Sequence, residues 1–302
     1  MTTSTPLHAP APSSWAERWL RPLAVASLVV NILIVVTGGV VRLTGSGLGC
    51  PTWPRCTEES FTPHGAMDIH SAIEFGNRMV TFLIAAVALA TFVAAWRVGR
   101  PAITRIALVL ALGVPAQAVV GGITVLTDLN PWTVSFHLLV SLAMIALAVT
   151  LIRRIGEPDG HSVPTVPRTV VLLVRGVFLT AWAVFYVGTV VTGSGPHAGD
   201  ASSERNGLDP RLLSQLHTDL VFLLLGLSIA ALLVLRAIPA PQRAVTASKV
   251  LLGVLLAQGL VGFVQYFTDL PVPLVTLHLL GAALTSAAVT WLVLGTRERV
   301  AA

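Results

Sequence analysis

Long apolar runs separated by short polar segments dominate this chain of 302 residues. A helix needs about 20 mainly apolar residues to cross the hydrocarbon core of a bilayer. Eight segments meet that requirement, at approximately 22–41, 69–96, 103–126, 133–152, 170–191, 212–235, 250–267 and 274–294. The pattern predicts an all-α integral membrane protein with eight transmembrane helices.

The composition strengthens this interpretation. Hydrophobic residues make up 54% of the chain and charged residues only 11%, whereas an ordinary soluble domain is about 25% charged. The net charge of +5 comes from cations in short segments between apolar runs. Such a distribution indicates how the protein is oriented in the bilayer and does not indicate a binding surface for nucleic acid. We therefore expect membrane lipid around the helices and no nucleic-acid partner.

Lys and Arg residues are unequally divided between the two sides of the predicted bilayer. One side, which includes both termini, carries fourteen of them and the other side five. Cytoplasmic segments are enriched in Lys and Arg. We therefore predict a multi-pass protein of the cell membrane with cytoplasmic N and C termini. The loops after spans 1, 3, 5 and 7 are then external.

The second half of the chain repeats the first. Segment 127–139, TDLNPWTVSFHLL, returns 141 positions later as segment 268–280, TDLPVPLVTLHLL, and Thr44-Gly-Ser-Gly after span 1 matches Thr192-Gly-Ser-Gly after span 5. Each half starts on the same side of the membrane, which predicts a parallel repeat about an axis normal to the bilayer. Two further matched pairs are Gln117 with Gln258 and Gly121 with Gly262.

The repeat predicts two tandem four-helix bundles. The first bundle covers residues 22–152 and the second covers residues 170–294. A cytoplasmic linker at 153–169 joins them, and cytoplasmic tails occupy 1–21 and 295–302. The segment before Trp15, rich in Thr, Ser and Pro, is expected to be disordered.

Four of the eight histidines lie near the predicted external ends of spans: His70, His137, His217 and His278. Such residues within a membrane usually mark a functional site, although each could simply hydrogen-bond a neighbouring helix. His217 and His278 fall at matching depth in even-numbered spans of the second bundle, so they could face each other and ligate a six-coordinate haem iron. No Cys-x-x-Cys-His motif occurs, so any haem is held non-covalently.

The first half breaks the symmetry, because Asn77 aligns with His217. Residues His70, Glu74 and Asn77 fall at i, i+4 and i+7 and share one helix face. Arg78 could pair with Glu74 or with an anionic ligand group. The asymmetry indicates a permanent cofactor in the second bundle and a reacting group in the first, where Glu74 could act as a base or steer a water molecule.

The two cysteines, Cys50 and Cys56, flank a short predicted external loop. On an oxidising face two such thiols are expected to form a disulfide. Two free thiols, or a pair that exchanges electrons, is the alternative that the sequence leaves open.

Three motifs together resemble the haem A synthase family. They are Val41-Arg-Leu-Thr-Gly-Ser-Gly-Leu-Gly-Cys-Pro, Ile73-Glu-Phe-Gly-Asn-Arg and Val191-Thr-Gly-Ser-Gly-Pro-His-Ala-Gly, combined with histidines in spans 4, 6 and 8. The resemblance implies an enzyme that oxidises the C8 methyl of haem O to a formyl group by successive hydroxylations, giving haem A for cytochrome oxidase. It also implies haem O synthase as a partner, and it leaves the electron acceptor open.

The same resemblance assigns roles to residues. It makes His217 and His278 the axial ligands of haem b, His137 a ligand in the substrate-haem site, and Glu74 the catalytic residue, and it matches the family's cysteine pair to Cys50 and Cys56.

One position departs from the family. Many members carry Glu-x-x-His-Arg in span 2, where this chain has Asn77 in place of the histidine. An amide is a poor ligand for haem iron. We therefore predict a five-coordinate substrate iron on His137. His70 is the alternative second ligand, although it lies roughly 10 Å from Asn77 along the helix.

Two other functions fit parts of the pattern. A membrane electron-transfer protein with a bis-histidine haem b would favour two equivalent sites, and the halves are not equivalent. A haem transporter would favour broken helices at mid-membrane, whereas the polar residues here crowd the predicted external ends.

Overall fold

The computed structural model describes residues 14–63 and 68–301. Most of the expected disordered N-terminal segment, at 1–13, lies outside the described residues, as does His64 in the first external loop.

Eight long helices within the described residues confirm the predicted all-α membrane class. Each is long and apolar enough to cross a bilayer. The helices are α1 (Trp15–Leu43), α2 (Ile69–Val98), α3 (Pro101–Leu126), α4 (Pro131–Ile155), α5 (Arg168–Ser194), α6 (Pro210–Ala237), α7 (Gln242–Phe267) and α8 (Val272–Gly295).

The start of α1 differs from the prediction. The predicted tail at 1–21 includes residues that are helical, because α1 begins at Trp15. Ser14 accepts a hydrogen bond from the Glu17 backbone N–H, and the Glu17 carboxylate accepts one from the Ser14 N–H. This capping box satisfies N–H groups at the helix start. The helix also accommodates Pro22 in its interior, which sequence reasoning had placed at the boundary.

Helices α1 to α4 pack in a closed ring, and α5 to α8 form a second ring. The two rings meet where α1 and α4 contact α8 and where α4 contacts α5. One buried hydrophobic cluster continues from α4 through all four helices of the second half. Hydroxyl groups cross the same boundary: Ser286 donates to the Leu142 carbonyl (2.9 Å) and Ser135 to the Thr189 carbonyl (3.3 Å). Small polar residues of this kind allow close helix packing in a membrane.

The repeat is visible in the turns before α4 and α8. Asp128 and Leu129 have φ of 51° and 59°, and Asp269 and Leu270 have φ of 58° and 57°. Two successive left-handed residues without glycine are uncommon. Both halves adopt this turn, so the repeated Thr-Asp-Leu sequence specifies a repeated backbone.

The two ends of the helix bundle differ. The end called here the disulfide face holds the described loop residues 44–63 and 68 and the loops 127–130, 195–209 and 268–271, and the linker face lies at the opposite end. On the linker face, the segment predicted as a linker at 153–169 contains strand β1 (Ser162–Pro164), and the predicted tail at 295–302 contains strand β2 (Arg297–Arg299). The two strands pair antiparallel. The segment that follows α4 is thereby joined to the segment that follows α8 by backbone hydrogen bonds.

Arg100 connects two segments of the linker face by hydrogen bonds. Its guanidinium donates to the carbonyls of Ile155 and Glu157 and to the Asp159 carboxylate, with an Nε–Oδ2 distance of 2.9 Å. The hydrogen bond from Arg100 is the main reason that the pKa of the Asp159 carboxyl lies below its usual value. The α2–α3 turn is in this way bound to the end of α4.

We predict that Arg100→Ala destabilises the protein by about 1–3 kcal/mol, since the carbonyls at the end of α4 lose a charged donor. Thermal unfolding in detergent measures this, and the control is Arg105→Ala, which removes an exposed arginine from α3. Because the pKa of Asp159 is lowered in the folded state, its pairing with Arg100 stabilises the fold at pH values above the usual pKa of a carboxyl group. This stabilisation is lost as the pH falls through the folded-state pKa. The difference in unfolding temperature between wild type and Arg100→Ala should therefore become smaller at acidic pH. Equal unfolding temperatures for Arg100→Ala and Arg105→Ala would contradict the prediction.

Candidate functional site

Two histidines face each other in the second half. His217 on α6 and His278 on α8 have ring centroids 6.4 Å apart with an angle of 66° between the rings. Their Nδ1 atoms are buried and have no hydrogen-bond partner among the described residues. Two imidazoles that share one metal ion, each at about 2 Å from it, have centroids about 6 Å apart. The pair is therefore spaced to hold a single metal ion between the rings.

Glycines set the position of both rings. A Cβ atom on Gly188 of α5 would lie 2.9 Å from His217 Cε1, and one on Gly262 of α7 would lie 3.3 Å from His278 Cε1. Each imidazole therefore packs directly against a neighbouring backbone. Gln258 adds a hydrogen bond from its Nε2 to the His278 carbonyl (2.9 Å), which fixes α7 against α8.

His137 in the first half has the same surroundings. Gln117 Nε2 donates to the His137 carbonyl (3.1 Å) and to Ser141 Oγ (2.6 Å). A Cβ atom on Gly121 would lie 3.4 Å from His137 Cε1. The Nδ1 atom of His137 is also buried without a partner among the described residues. The sequence repeat thus extends to the hydrogen bond and the glycine that position each histidine.

The polar face of α2 points to α1 and to the loop that follows α1. Asn77 Oδ1 accepts a hydrogen bond from Thr37 Oγ1 (2.7 Å) on α1. A hydrogen bond of 3.0 Å joins His70 Nδ1 to Ser46 Oγ in the loop. Within the described residues, no hydrogen bond links His137 to His70, Glu74 or Asn77. Iron ligation by His137, with His70 as the alternative second ligand, stays a prediction.

Glu74 and Arg78 hold the loop between the cysteines. Glu74 is buried, with 4% of its surface exposed, and its Oε1 accepts from Arg78 Nη2 at 2.6 Å. Its Oε2 accepts from the Cys50 backbone N–H at 2.5 Å. Arg78 also donates to the carbonyls of Cys50, Thr52 and Arg55, at 3.0 to 3.1 Å. Sequence reasoning anticipated the Glu74–Arg78 pair, but it missed that the pair anchors a loop.

The predicted disulfide is confirmed, with Cys50 and Cys56 joined by an S–S bond of 2.01 Å. Both cysteines are buried. Trp53 between them packs against Gly122 of α3, next to the glycine that contacts His137. The loop therefore reaches from α2 to the helix beside His137. Sequence reasoning missed Trp53, although an aromatic residue between prolines and flanking cysteines was a usable signal.

A family model described as cytochrome oxidase assembly protein matches residues 21–203, which is more than half of the chain. The chain belongs to this family. Its curated relatives include the haem A synthase of Bacillus licheniformis, 24% identical over 178 residues that cover 57% of this chain and 58% of the relative. The haem A synthase of Geobacillus thermodenitrificans is 30% identical over 145 residues, or 45% of each chain. That of Halalkalibacterium halodurans is 27% identical over 181 residues, which cover 58% of this chain and 60% of the relative.

The matches to the cytochrome oxidase assembly family are unevenly distributed. They span about half the length of the curated relatives. The family model includes the disulfide loop, Glu74, Asn77 and His137, and it ends before the helix that carries His217. The pairing of His217 with His278 therefore rests on the geometry of this chain.

We predict that Arg78→Gln exposes the disulfide. Without the guanidinium, the carbonyls of the loop lose their charged hydrogen-bond donors. This loss should raise the equilibrium constant for local opening of the loop about tenfold. Opening of a buried segment limits access by reagents, so reduction by a membrane-impermeant phosphine should be about tenfold faster than in wild type. Thiol labelling after timed reduction measures this rate.

The matched control is Arg55→Gln, which removes an exposed arginine from the same loop while its backbone carbonyl can still accept from Arg78. Reduction at the wild-type rate in Arg78→Gln would show that Arg78 does not hold the loop closed.

Proposed function

We propose that this chain is a haem A synthase, which oxidises the C8 methyl group of haem O to a formyl group by successive hydroxylations and supplies haem A for cytochrome oxidase. The observation that carries the proposal is the asymmetry of the two halves. One half has two facing histidines, and the other has one equivalent histidine and a buried carboxylate in the same ring of helices. Membership in the cytochrome oxidase assembly family and relatives named haem A synthase support the same reaction.

The second half would hold haem b through His217 and His278. The residues fit this group, because two imidazoles face each other at the separation one metal ion requires, and their buried Nδ1 atoms have no partner among the described residues. Haem iron with two imidazole ligands supplies one-electron transfer. Gly188 and Gly262 hold the rings in place from the backbone side.

The first half would receive haem O, with His137 as the iron ligand. Asn77 is engaged by the Thr37 hydroxyl and His70 by Ser46. Both contacts favour a site in which His137 is the single protein ligand. Such a site suits a substrate, which must enter and leave, better than it suits a permanent cofactor.

Glu74 would be the acid–base residue. Among the carboxylates that the structure describes, it is the one that is buried. Arg78 and the Cys50 N–H fix both carboxylate oxygens in position. Each carboxylate oxygen can accept more than one hydrogen bond, so Oε1 or Oε2 can still accept a proton from water beside the substrate. Arg78 is then a positioning residue, since it orients Glu74.

The proposal includes the orientation in the cell membrane. The linker face would be cytoplasmic, because its segments carry most of the Lys and Arg residues. The disulfide face would be external, where oxidation of cysteines is favoured. The substrate haem O would come from haem O synthase.

We predict that Glu74→Gln inserts normally and keeps the absorption of a bis-histidine haem but makes no haem A. The amide can still accept from the Cys50 N–H, whereas it cannot take up a proton as a carboxylate does. The measurement is co-expression with a haem O producer, followed by chromatography of the extracted haems.

Arg78→Gln is the companion variant, because it disturbs the loop but keeps the carboxylate. It should retain some haem A production. Normal haem A from Glu74→Gln would refute the acid–base role, and extraction of haem b alone from the wild type would favour an electron-transfer protein.

We predict that Gly188→Ala weakens haem b binding about tenfold or more. The new methyl group would lie too close to His217 Cε1 and would displace the ring, and overpacking of this kind costs about 1–3 kcal/mol. Haem content and the low-spin spectrum measure the effect. Gly226→Ala on α6 is the control, since a Cβ atom there meets nothing within 4 Å. Equal haem content in the two variants would argue against His217 as a ligand.

A further inference from the structure

An arginine of the first half reaches over the second half at the disulfide face. Arg42, at the end of α1, donates from Nε to the His197 carbonyl (2.8 Å) and from Nη2 to the Thr192 carbonyl (3.0 Å). Thr192 lies in the last turn of α5, and His197 lies in the loop that follows. The guanidinium therefore lies beside the end of a helix that lines the second ring.

A second arginine lies in the same loop. Arg205 donates to the carbonyls of Ser203 (3.0 Å) and Pro196 (2.6 Å). Burial, followed by the charges of Arg42 and Arg205, lowers the pKa of the His197 imidazole. Both guanidiniums are thus close enough to His197 to act on it. We call Arg42, His197 and Arg205 the basic cluster.

The charge of the basic cluster is not balanced by protein carboxylates. Across residues 14–63 and 68–301, neither Arg42 nor Arg205 forms an ion pair, and their acceptors are neutral carbonyls. Asp200 in the same loop is occupied by hydrogen bonds from the N–H and hydroxyl of Ser202. A half-buried guanidinium without a counter-charge is costly, and clustered positive charge attracts anions.

The basic cluster lies close to the histidine pair. Thr192 follows Gly188 by four residues on α5, so the two are separated by about one helical turn, or about 6 Å. Gly188 is the residue against which the His217 ring packs. The Arg42 guanidinium, which is bound to the Thr192 carbonyl, is therefore about one turn nearer to the disulfide face than His217.

The second half does not offer the first a matching arginine at this position. Aligning the two Thr-Gly-Ser-Gly motifs places Val190 opposite Arg42. The carbonyl of Val190 instead accepts a hydrogen bond from the Asn206 amide (2.9 Å). The arginine thus crosses in one direction only, from the first half to the half that contains the histidine pair.

We propose that the basic cluster binds the propionate carboxylates of the haem held by His217 and His278. This inference rests on the proposed haem b site and extends it. A porphyrin ligated by the two imidazoles carries its carboxylates on one edge, and guanidinium groups recognise carboxylates through paired hydrogen bonds. The first half would then contribute Arg42 to the cofactor site of the second.

The test compares two porphyrins in the full chain, purified in detergent after growth under haem limitation. The probes are iron protoporphyrin IX and its dimethyl ester, which lacks the carboxylate charges. Wild type should bind the free acid about tenfold more tightly than the ester, since charge-assisted hydrogen bonds are lost in the ester. Arg42→Gln should bind the free acid about tenfold more weakly and should not discriminate between the two. Arg205→Gln should show a smaller effect in the same direction.

Arg211→Gln is the matched control, because it removes an exposed positive charge from the same face of the second half. It should discriminate like wild type. Arg42→Lys separates charge from loop structure, because it keeps the charge and loses the planar fork. It should retain part of the discrimination.

Three outcomes would overturn the inference. Undiminished discrimination in Arg42→Gln, with a normal low-spin spectrum, refutes the basic cluster as the carboxylate site and leaves the proposed haem b site intact. Equal loss of both porphyrins in Arg42→Gln and Arg42→Lys shows that Arg42 only supports the loop. Failure of the wild type to bind either porphyrin with a bis-histidine spectrum refutes the haem b proposal itself, together with this inference.

Discussion

The site depends on a repeated hydrogen bond between a glutamine amide and a histidine carbonyl. Gln117 binds the carbonyl of His137, and Gln258 binds that of His278. An amide within a bilayer must find a partner inside the protein, so this bond selects the vertical register of two adjacent helices. With the register fixed, Gly121 and Gly262 face the imidazoles one turn further along. The ring positions follow from a backbone contact and need no additional side chain.

Duplication preserved this support while the groups around it diverged. Asn77 stands where the second half has His217, and Val190 stands where the first half has Arg42. The Cys50–Cys56 loop is anchored to α2 by Glu74 and Arg78. A symmetric scaffold thus carries two different chemical environments. The difference lies in residues toward the disulfide-face ends of α1, α2, α5 and α6.

Sequence alone predicted the spans and favoured the disulfide, because hydropathy over about 20 residues and two thiols in one short loop are strong local signals. It failed where the partner is backbone. Arg78 and Arg42 bind carbonyl groups, which have no sequence signature. The pairing of Ser162–Pro164 with Arg297–Arg299 joins distant segments too short to show a strand pattern. The division into two bundles stays a prediction, since one buried cluster runs from α4 into the second half.

Two arginines at the disulfide face differ in whether a carboxylate balances their charge. Arg78 in the third turn of α2 and Arg42 in the last turn of α1 each hold a neighbouring loop by its carbonyls. Arg78 is balanced by Glu74 at 2.6 Å. Arg42 has no such partner among the described residues, and Arg205 adds a second positive charge. Because unbalanced charge near a low-dielectric interior is costly, the second half is the one that gains most from a permanently bound anionic group.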